Sequence, residues 1–554
     1  MTATTIITNG KVLSMDEAAP RAEALTLRGR EIAYVGNARE ALAFKGTGTR
    51  VIDAGGGTVL PGFIEGHMHL FAGAGELDHL QLFGVHGFEA LKAAVVAYLR
   101  EHPGSDLIIG EQADYTILSE DEPVTRQHLD RIVPARPFMI FAPDHHTAWA
   151  NTIALEQAGI LKGRKVGPGN EIVMGPDGLA NGELREGEAI DPVRSLSKSG
   201  NRDRLGLVTG GEPDPRPTAA EFEHDLAAMK RGLDHCARHG ITSIHNMDGN
   251  LYTLELLEEL DRRGVLLCRV RVPFHMKNFM GLAQLEKASA MHQRYHSEKL
   301  ASGFVKVFVD GVLDSWTAVM LDDYADRPGW RGEPLFTSEH FAAVAVEADR
   351  RGLQIAVHAI ADGAVRMVLD GYEAARRANG KRDARHRIEH IEVVHPADVP
   401  RFRDLGVIAS MQPPHPPGCH GLPLEPTVTR IGEAKWPYAY AWNTLRAAGA
   451  RLVFASDWPV SAIDPVRSVQ SAMTRKPWKQ GLPNHRQSLA LALASYTRDG
   501  AFAEFMEARK GMLRPGMLAD IAILSGDLEA TDPGALHQVR PIVTICDGRT
   551  TYQG

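Results

Sequence analysis

"VLPGFIEGHMHL", residues 59–70, is an apolar run that ends in two histidines one residue apart. Side chains alternate across a strand, so His67 and His69 share one face. Two imidazoles on one face can hold a metal ion. The pair alone carries little weight, because 24 His in 554 residues give about one His-x-His by random placement. Its meaning depends on what the other strands carry.

From residue 240 onward, apolar runs alternate with amphipathic ones. The runs are "GITSIHNM", "VLLCRVRVPF", "GFVKVFVDG", "LQIAVHAI", "RHRIEHIEV", "VIASM" and "ARLVFAS". Between them lie helix-type segments such as "LYTLELLEELDRRG" and "DGAVRMVLDGYEAARRANG". This alternation predicts βαβ units and a parallel sheet. With "VLPGFIEG" as the first strand the runs number eight, which closes a (β/α)₈ TIM-like barrel in the α/β class. An open doubly wound sheet is the competing topology, but no Gly-x-Gly-x-x-Gly turn opens a helix after a strand.

Both chain ends read as short strands broken by turns. "TTIITNGKVLSM" places Asn-Gly between apolar runs, a hairpin signal, and "LADIAILSGD" and "RPIVTICDGRTTYQ" look alike. Residues 1–58 and 501–554 are therefore expected to form one small β-sandwich domain around a barrel spanning 59–500. Between the first two barrel strands an insertion is expected at about 85–217. There "GFEALKAAVVAYLREHPG" reads as a barrel helix, and "RPFMIFAPDHHTAWANTIALEQAGI" as a strand followed by a helix. The Gly- and Pro-rich stretch at 160–217 reads as long loops, a common place for a substrate lid. Helix resumes at the "TAAE" capping box, Thr218 to Glu221.

Bulk properties narrow the class. Hydrophobic residues make up 44% and the net charge is −8, with no lysine- and arginine-rich tract, so nothing points to nucleic acid. Cys236, Cys268, Cys419 and Cys546 are far apart and read as reduced residues, not a disulfide framework. No long uncharged apolar stretch suggests a membrane span, and the first residues lack a secretory signal pattern. A soluble cytoplasmic protein acting on a small molecule is expected, with a homodimer as the commonest oligomer.

The meaning of the first two histidines comes from the other strand ends. Lys306 lies on the fourth strand, His358 on the fifth, His390 on the sixth and Asp457 on the eighth. Barrel enzymes carry their chemistry at the C-terminal ends of the strands, so these side chains should converge. Lys306 sits between two valines, where a buried ammonium is costly unless paired. Carboxylation by carbon dioxide would turn it into an anionic oxygen donor able to bridge two cations; pairing with a carboxylate such as Asp310 is the alternative. Hard oxygens and imidazoles suit zinc, manganese or similar divalent ions. His239, His245, His275 and His415 read as surface or packed residues. Trp149, Trp316 and Trp458 read as core or wall, their closeness to the ligand positions favouring the wall.

The segments "LPGFIEGHMHL", "DHHTAWAN", "GITSIHNMD", "VKVFVDGVL", "AVHAIAD", "RIEHIE", "ASMQPPH", "ASDWPV" and "LRPGMLADIAIL" together resemble the amidohydrolase superfamily, specifically the amidohydrolase-3 family that includes N-substituted formamide deformylases. The resemblance covers nearly the whole chain and is weakest at about 160–217. It implies a (β/α)₈ barrel beside a β-sandwich, and two divalent metal ions, zinc first with manganese as an alternative. His67, His69 and Asp457 would hold one ion, carboxylated Lys306 would bridge, and His358 and His390 would hold the other. His146 and Trp149 would belong to the active-site region. The reaction implied is hydrolysis of a C–N bond in a small N-substituted amide by a hydroxide between the metals, with Asp457 moving the proton. Two alternatives stay open: a cyclic amide, ester or lactone hydrolase or deaminase on the same site, and an inactive binding or regulatory protein.

Overall fold

The computed structural model describes residues 2–104, 106–142, 147–167 and 170–554. His146 therefore lies outside the described residues. The chain forms two compact units, one of Met1–Leu70, Gly206–Glu212 and Gly232–Gly554, the other of Phe71–Leu205 and Pro213–Arg231.

The first unit holds the barrel. Eight parallel strands pair in chain order: β1 (Phe63–Met68), β2 (Ile241–Asn246), β3 (Arg269–His275), β4 (Leu300–Phe308), β5 (Gln354–Ala359), β6 (Arg387–His390), β7 (Ile408–Met411) and β8 (Arg451–Phe454). β1, β2, β4, β5, β6 and β7 are buried along almost their whole length, as expected where a parallel sheet is covered on both faces. The crossover helices carry the capping their sequences announce. The helix Leu251–Arg262 starts where the Asn250 side chain accepts from the Thr253 N–H, and it buries Leu254, Leu256, Leu257 and Leu260.

The ring nearly closes where β8 meets β1. The Asp457 N–H donates to the His67 carbonyl (3.0 Å) and the His69 N–H to that of Trp458 (2.8 Å). Gly66 permits the approach: a Cβ there would lie 2.5 Å from a Val453 methyl and 3.0 Å from the Phe454 carbonyl oxygen. The hydrogen bonds that seal the barrel thus fix His67, His69 and Asp457 against one another.

The run "VLPGFIEG" does not form one strand. Thr58–Pro61 pairs in parallel with Lys11–Leu13 and antiparallel with Ile521–Leu524, in a six-stranded sheet that also contains Arg21–Ala22, Pro541–Cys546 and Arg549–Gln553. A four-stranded sheet of Thr5–Thr8, Ala24–Arg28, Glu31–Gly36 and Arg50–Asp53 faces it. Ile7, Leu25, Val59, Ile521, Ile523 and Ile545 fill the core between them. This is the β-sandwich built from both ends of the chain.

The second unit is more ordered than its composition suggests. Its six-stranded mixed sheet includes the hairpin Glu171–Met174/Ala180–Arg185, which falls where long loops are expected. "GPDG" at 175–178 is its turn. Phe138–Phe141 is followed by a second strand, Thr147–Ala150, before the helix Thr152–Gln157 begins. The helix Phe88–Glu101 packs Leu91 and Val95 into this unit's own core and is not a barrel helix. Thr218 and Glu221 form the capping box that precedes the helix Ala219–Arg238. Among the described residues no helix is long and apolar enough to cross a membrane.

Candidate metal centre

His67 and His69 end β1 and their imidazoles meet Asp457 just after β8. The Asp457 Oδ1 lies 3.3 Å from the Nε2 of each histidine. This oxygen is buried and makes no hydrogen bond, a costly state for a carboxylate unless another group joins the set. Ligand bonds of about 2.0–2.1 Å in a tetrahedral zinc site place neighbouring donor atoms about 3.3 Å apart. The spacing and the two-nitrogen, one-oxygen donor set therefore fit a divalent cation.

The other nitrogen of each ring is already committed. The Nδ1 of His67 lies 2.7 Å from Glu389 Oε2, and that of His69 lies 2.6 Å from Asp248 Oδ1. Each Nδ1 faces a carboxylate oxygen to which its N–H donates, which turns the Nε2 toward Asp457. The same rule extends to the other two histidines. His390 Nδ1 pairs with Gln412 Oε1 at 3.0 Å, and His358 Nε2 donates to the Gly311 carbonyl at 3.0 Å. His390 packs against both His67 and His358, with ring centroids 4.8 and 4.5 Å away. In each of the four, an oxygen acceptor occupies one nitrogen and leaves the opposite one as a donor.

Electrostatics follow from burial. It pushes the His67 imidazolium down to about 4, helped by the charge on Lys306. Burial acts the same way on His69, but Asp248 and Asp457 on either side outweigh it and raise the group to about 9. A cation bound by His69 Nε2 would replace the proton held there between two carboxylates. Burial alone would raise Asp457; His67, His69 and His390 hold its carboxyl well below the usual range.

Lys306 is fully buried on β4, with its Nζ 3.5 Å from His67 Nε2 and 4.6 Å from the centre of the Phe308 ring. Asp310 is not its partner, because that carboxylate accepts from the backbone N–H groups of Val319, Ile360 and Ala361. Burial pushes the Lys306 ammonium down to about 8, toward the neutral amine. That amine is the nucleophile carbamate formation requires.

His390 (φ 76°) and Asp457 (φ 63°) both adopt the left-handed backbone region. Non-glycine residues rarely do so, and such conformations gather at functional sites because surrounding structure must hold them there. Each stands at the end of, or just beyond, a barrel strand, where the turn swings the side chain into the mouth.

Other residues named from sequence fall in different settings. Trp458 is buried, its ring 5.4 Å from that of His235. Trp316 gives its indole N–H to Asp326 and lies under the Arg430 guanidinium at 3.7 Å. Trp149 is buried in the second unit, edge-on to Tyr115. Sequence reading missed His415, which is not a bland packed residue: its buried Nε2 has no hydrogen-bond partner and lies 3.9 Å from Asp457 Oδ2. It also missed Asp248 and Glu389, although "HNMD" and "RIEH" each place an acid within two residues of a strand end. Replacing Asp248 by Asn should weaken metal binding about 10–100-fold, read by competition with a chelator, while the far-ultraviolet circular dichroism stays unchanged.

Comparison with known proteins identifies the family. The profile of the amidohydrolase family matches residues 50–552. The chain is 30% identical to Protein LONG AFTER FAR-RED 3 of Arabidopsis thaliana, over 94% of this chain and 87% of that one. It is 23% identical to N-substituted formamide deformylase of Arthrobacter pascens, over 99% and 98%. Among solved structures, an uncharacterized metal-dependent hydrolase from Pyrococcus furiosus superposes with a TM-score of 0.73 at 26% identity, covering 96% of this chain and 99% of its own. The chain belongs to the amidohydrolase family of metal-dependent hydrolases.

Proposed function

We propose that this protein hydrolyses the C–N bond of a small N-substituted amide at a site for two divalent cations. His67, His69 and Asp457 would hold one ion, His358 and His390 the other, with Lys306 joining them as its carbamate. The observation that carries this reading is the set of four histidines, each tied through one nitrogen and offering the other. Cations held there lower the pKa of water and polarise a carbonyl oxygen.

The chain's own residues supply the rest. Asp457 is fully ionised and lies at the meeting point of the ligand atoms, so it can take the proton from the attacking water. Amide nitrogen leaves poorly until protonated, and the same carboxyl can deliver that proton, acting first as base and then as acid. The tied histidines cannot swing away or change tautomer without breaking a buried hydrogen bond. The choice of an N-substituted amide follows the relative named N-substituted formamide deformylase.

Metal per chain, measured on protein made with bicarbonate and zinc, tests the reading. About two ions are expected, falling clearly in Lys306→Ala made the same way. About one ion, unaffected by the mutation, would exclude the bridged site and favour a single-metal hydrolase or deaminase.

A further inference from the structure

Beside the metal centre, a cavity of about 350 Å³ opens at the ends of β3 and β4. Val208, Met276, Phe279, Phe308 and Leu335 line it, together with one charged residue, Lys277. Phe308 connects the two places. Its ring lines the cavity, stacks on His358 at 4.8 Å and lies 4.6 Å from the Lys306 Nζ. The walls are pinned in place: the Met276 N–H donates to the Lys306 carbonyl, the Leu335 N–H to the Val309 carbonyl, and the Asn278 side chain to the Leu335 carbonyl. Phe279 is 74% exposed at the rim, with Val208 and Leu335 beside it half exposed, an apolar surface that a ligand would cover.

Lys277 is the unusual member. Its Nζ donates to the Leu207 carbonyl at 2.9 Å and lies 5.2 Å from the centre of the Phe308 ring. Among the described residues no carboxylate oxygen comes within 4.0 Å of it. A largely buried ammonium with one carbonyl partner and no carboxylate in contact, Asp248 acting on it only from beyond that distance, is expensive, and its remaining N–H groups want an anionic acceptor. Burial lowers the Lys277 ammonium from its usual range, and the carboxylate of Asp248 acts against it.

From this arrangement we infer that the cavity takes the substrate's apolar arm and that Lys277 reads a carboxylate carried on it. The inference rests on the amide-hydrolase reading and sharpens it: the substrate is an acidic amide of the N-acyl amino acid type, not a neutral one. The aryl or alkyl group would lie against Phe308 and Phe279, with the carboxylate on the Lys277 Nζ and the scissile carbonyl at the histidines next to Phe308.

A matched pair of amides tests it on the zinc-loaded protein. N-acetylphenylalanine and N-acetylphenethylamine share the aryl arm and the scissile bond, and differ only in the carboxylate. The acid should be favoured at least tenfold in kcat/KM. Lys277→Met should bring that preference to near one at the same metal content, and Lys277→Arg should keep most of it. A parent that does not favour the acid, or a preference that Lys277→Met leaves intact, overturns the inference. Calorimetric titration with 3-phenylpropanoate gives a readout that needs no turnover. The expected result is binding at least tenfold weaker in Lys277→Met, and equal binding in parent and variant would overturn the inference. If neither amide is cleaved but that loss of binding is seen, the amide reading falls and the pocket assignment stands.

Discussion

Asp457→Asn should lose about 10²–10⁴-fold in turnover, the range general acid–base catalysis supplies, while most of the bound metal remains. The two effects separate because the residue has two jobs. As a ligand it offers Oδ1, 3.3 Å from the Nε2 of both His67 and His69, and an amide oxygen in the same place still coordinates, though more weakly. As a base it must accept a proton, which an amide cannot do near neutral pH. The left-handed backbone at position 457 suits Asn as well as Asp, so the substitution adds no strain. Turnover and metal content should be measured on the same preparation. A fall in rate that only tracks the fall in metal would leave Asp457 as a ligand, and an unchanged rate would remove it from the mechanism.

The pattern of apolar runs exposed the barrel because a parallel strand buried on both faces has almost nothing but apolar positions, and a polar residue at its end stands out. His67, Lys306, His358 and His390 were visible for that reason. What surrounds them was not. Which nitrogen of each ring is tied depends on Glu389, Asp248, Gln412 and the Gly311 carbonyl, partners up to 322 residues away in sequence. His415 looked like any loop histidine because its neighbours Asp457 and His390 come from other strands. Lys277 carried no signal at all: two residues past a strand end, a lysine is ordinarily solvated. The second unit was misread for a different reason. Its hairpin strands are short and only half buried, one of them has a glycine inside it, and Gly and Pro dominate the composition between them.

The largest loss of stability is expected from Arg387→Met, because this side chain holds together the buried layer beneath the metal centre. Its guanidinium donates to both oxygens of Glu389, to the Gly66 carbonyl and to Ser410 Oγ, and it meets His245 Nδ1 at 2.7 Å. Arg387 and Glu389 are almost wholly shielded from water. Burial alone would raise the Glu389 carboxyl, and Arg387 with His67 keeps it well below the usual range. Removing the cation leaves a buried carboxylate with His67 as its one strong partner. Breaking a buried pair in this way costs about 3–5 kcal/mol, seen as a lower urea midpoint. Replacing both partners, Arg387→Met with Glu389→Leu, should recover much of that loss, because a buried ion pair and a well-packed apolar pair are often close in stability. Metal affinity should behave differently. His67 Nδ1 would have no acceptor in the double variant, its tautomer would be free, and binding should stay about 10–100-fold weaker than in the parent. If stability and metal affinity recover together, the Arg387–Glu389 pair serves only packing. If stability returns and affinity does not, the pair is retained to orient His67, and the ionic layer inside the barrel belongs to the metal site above it.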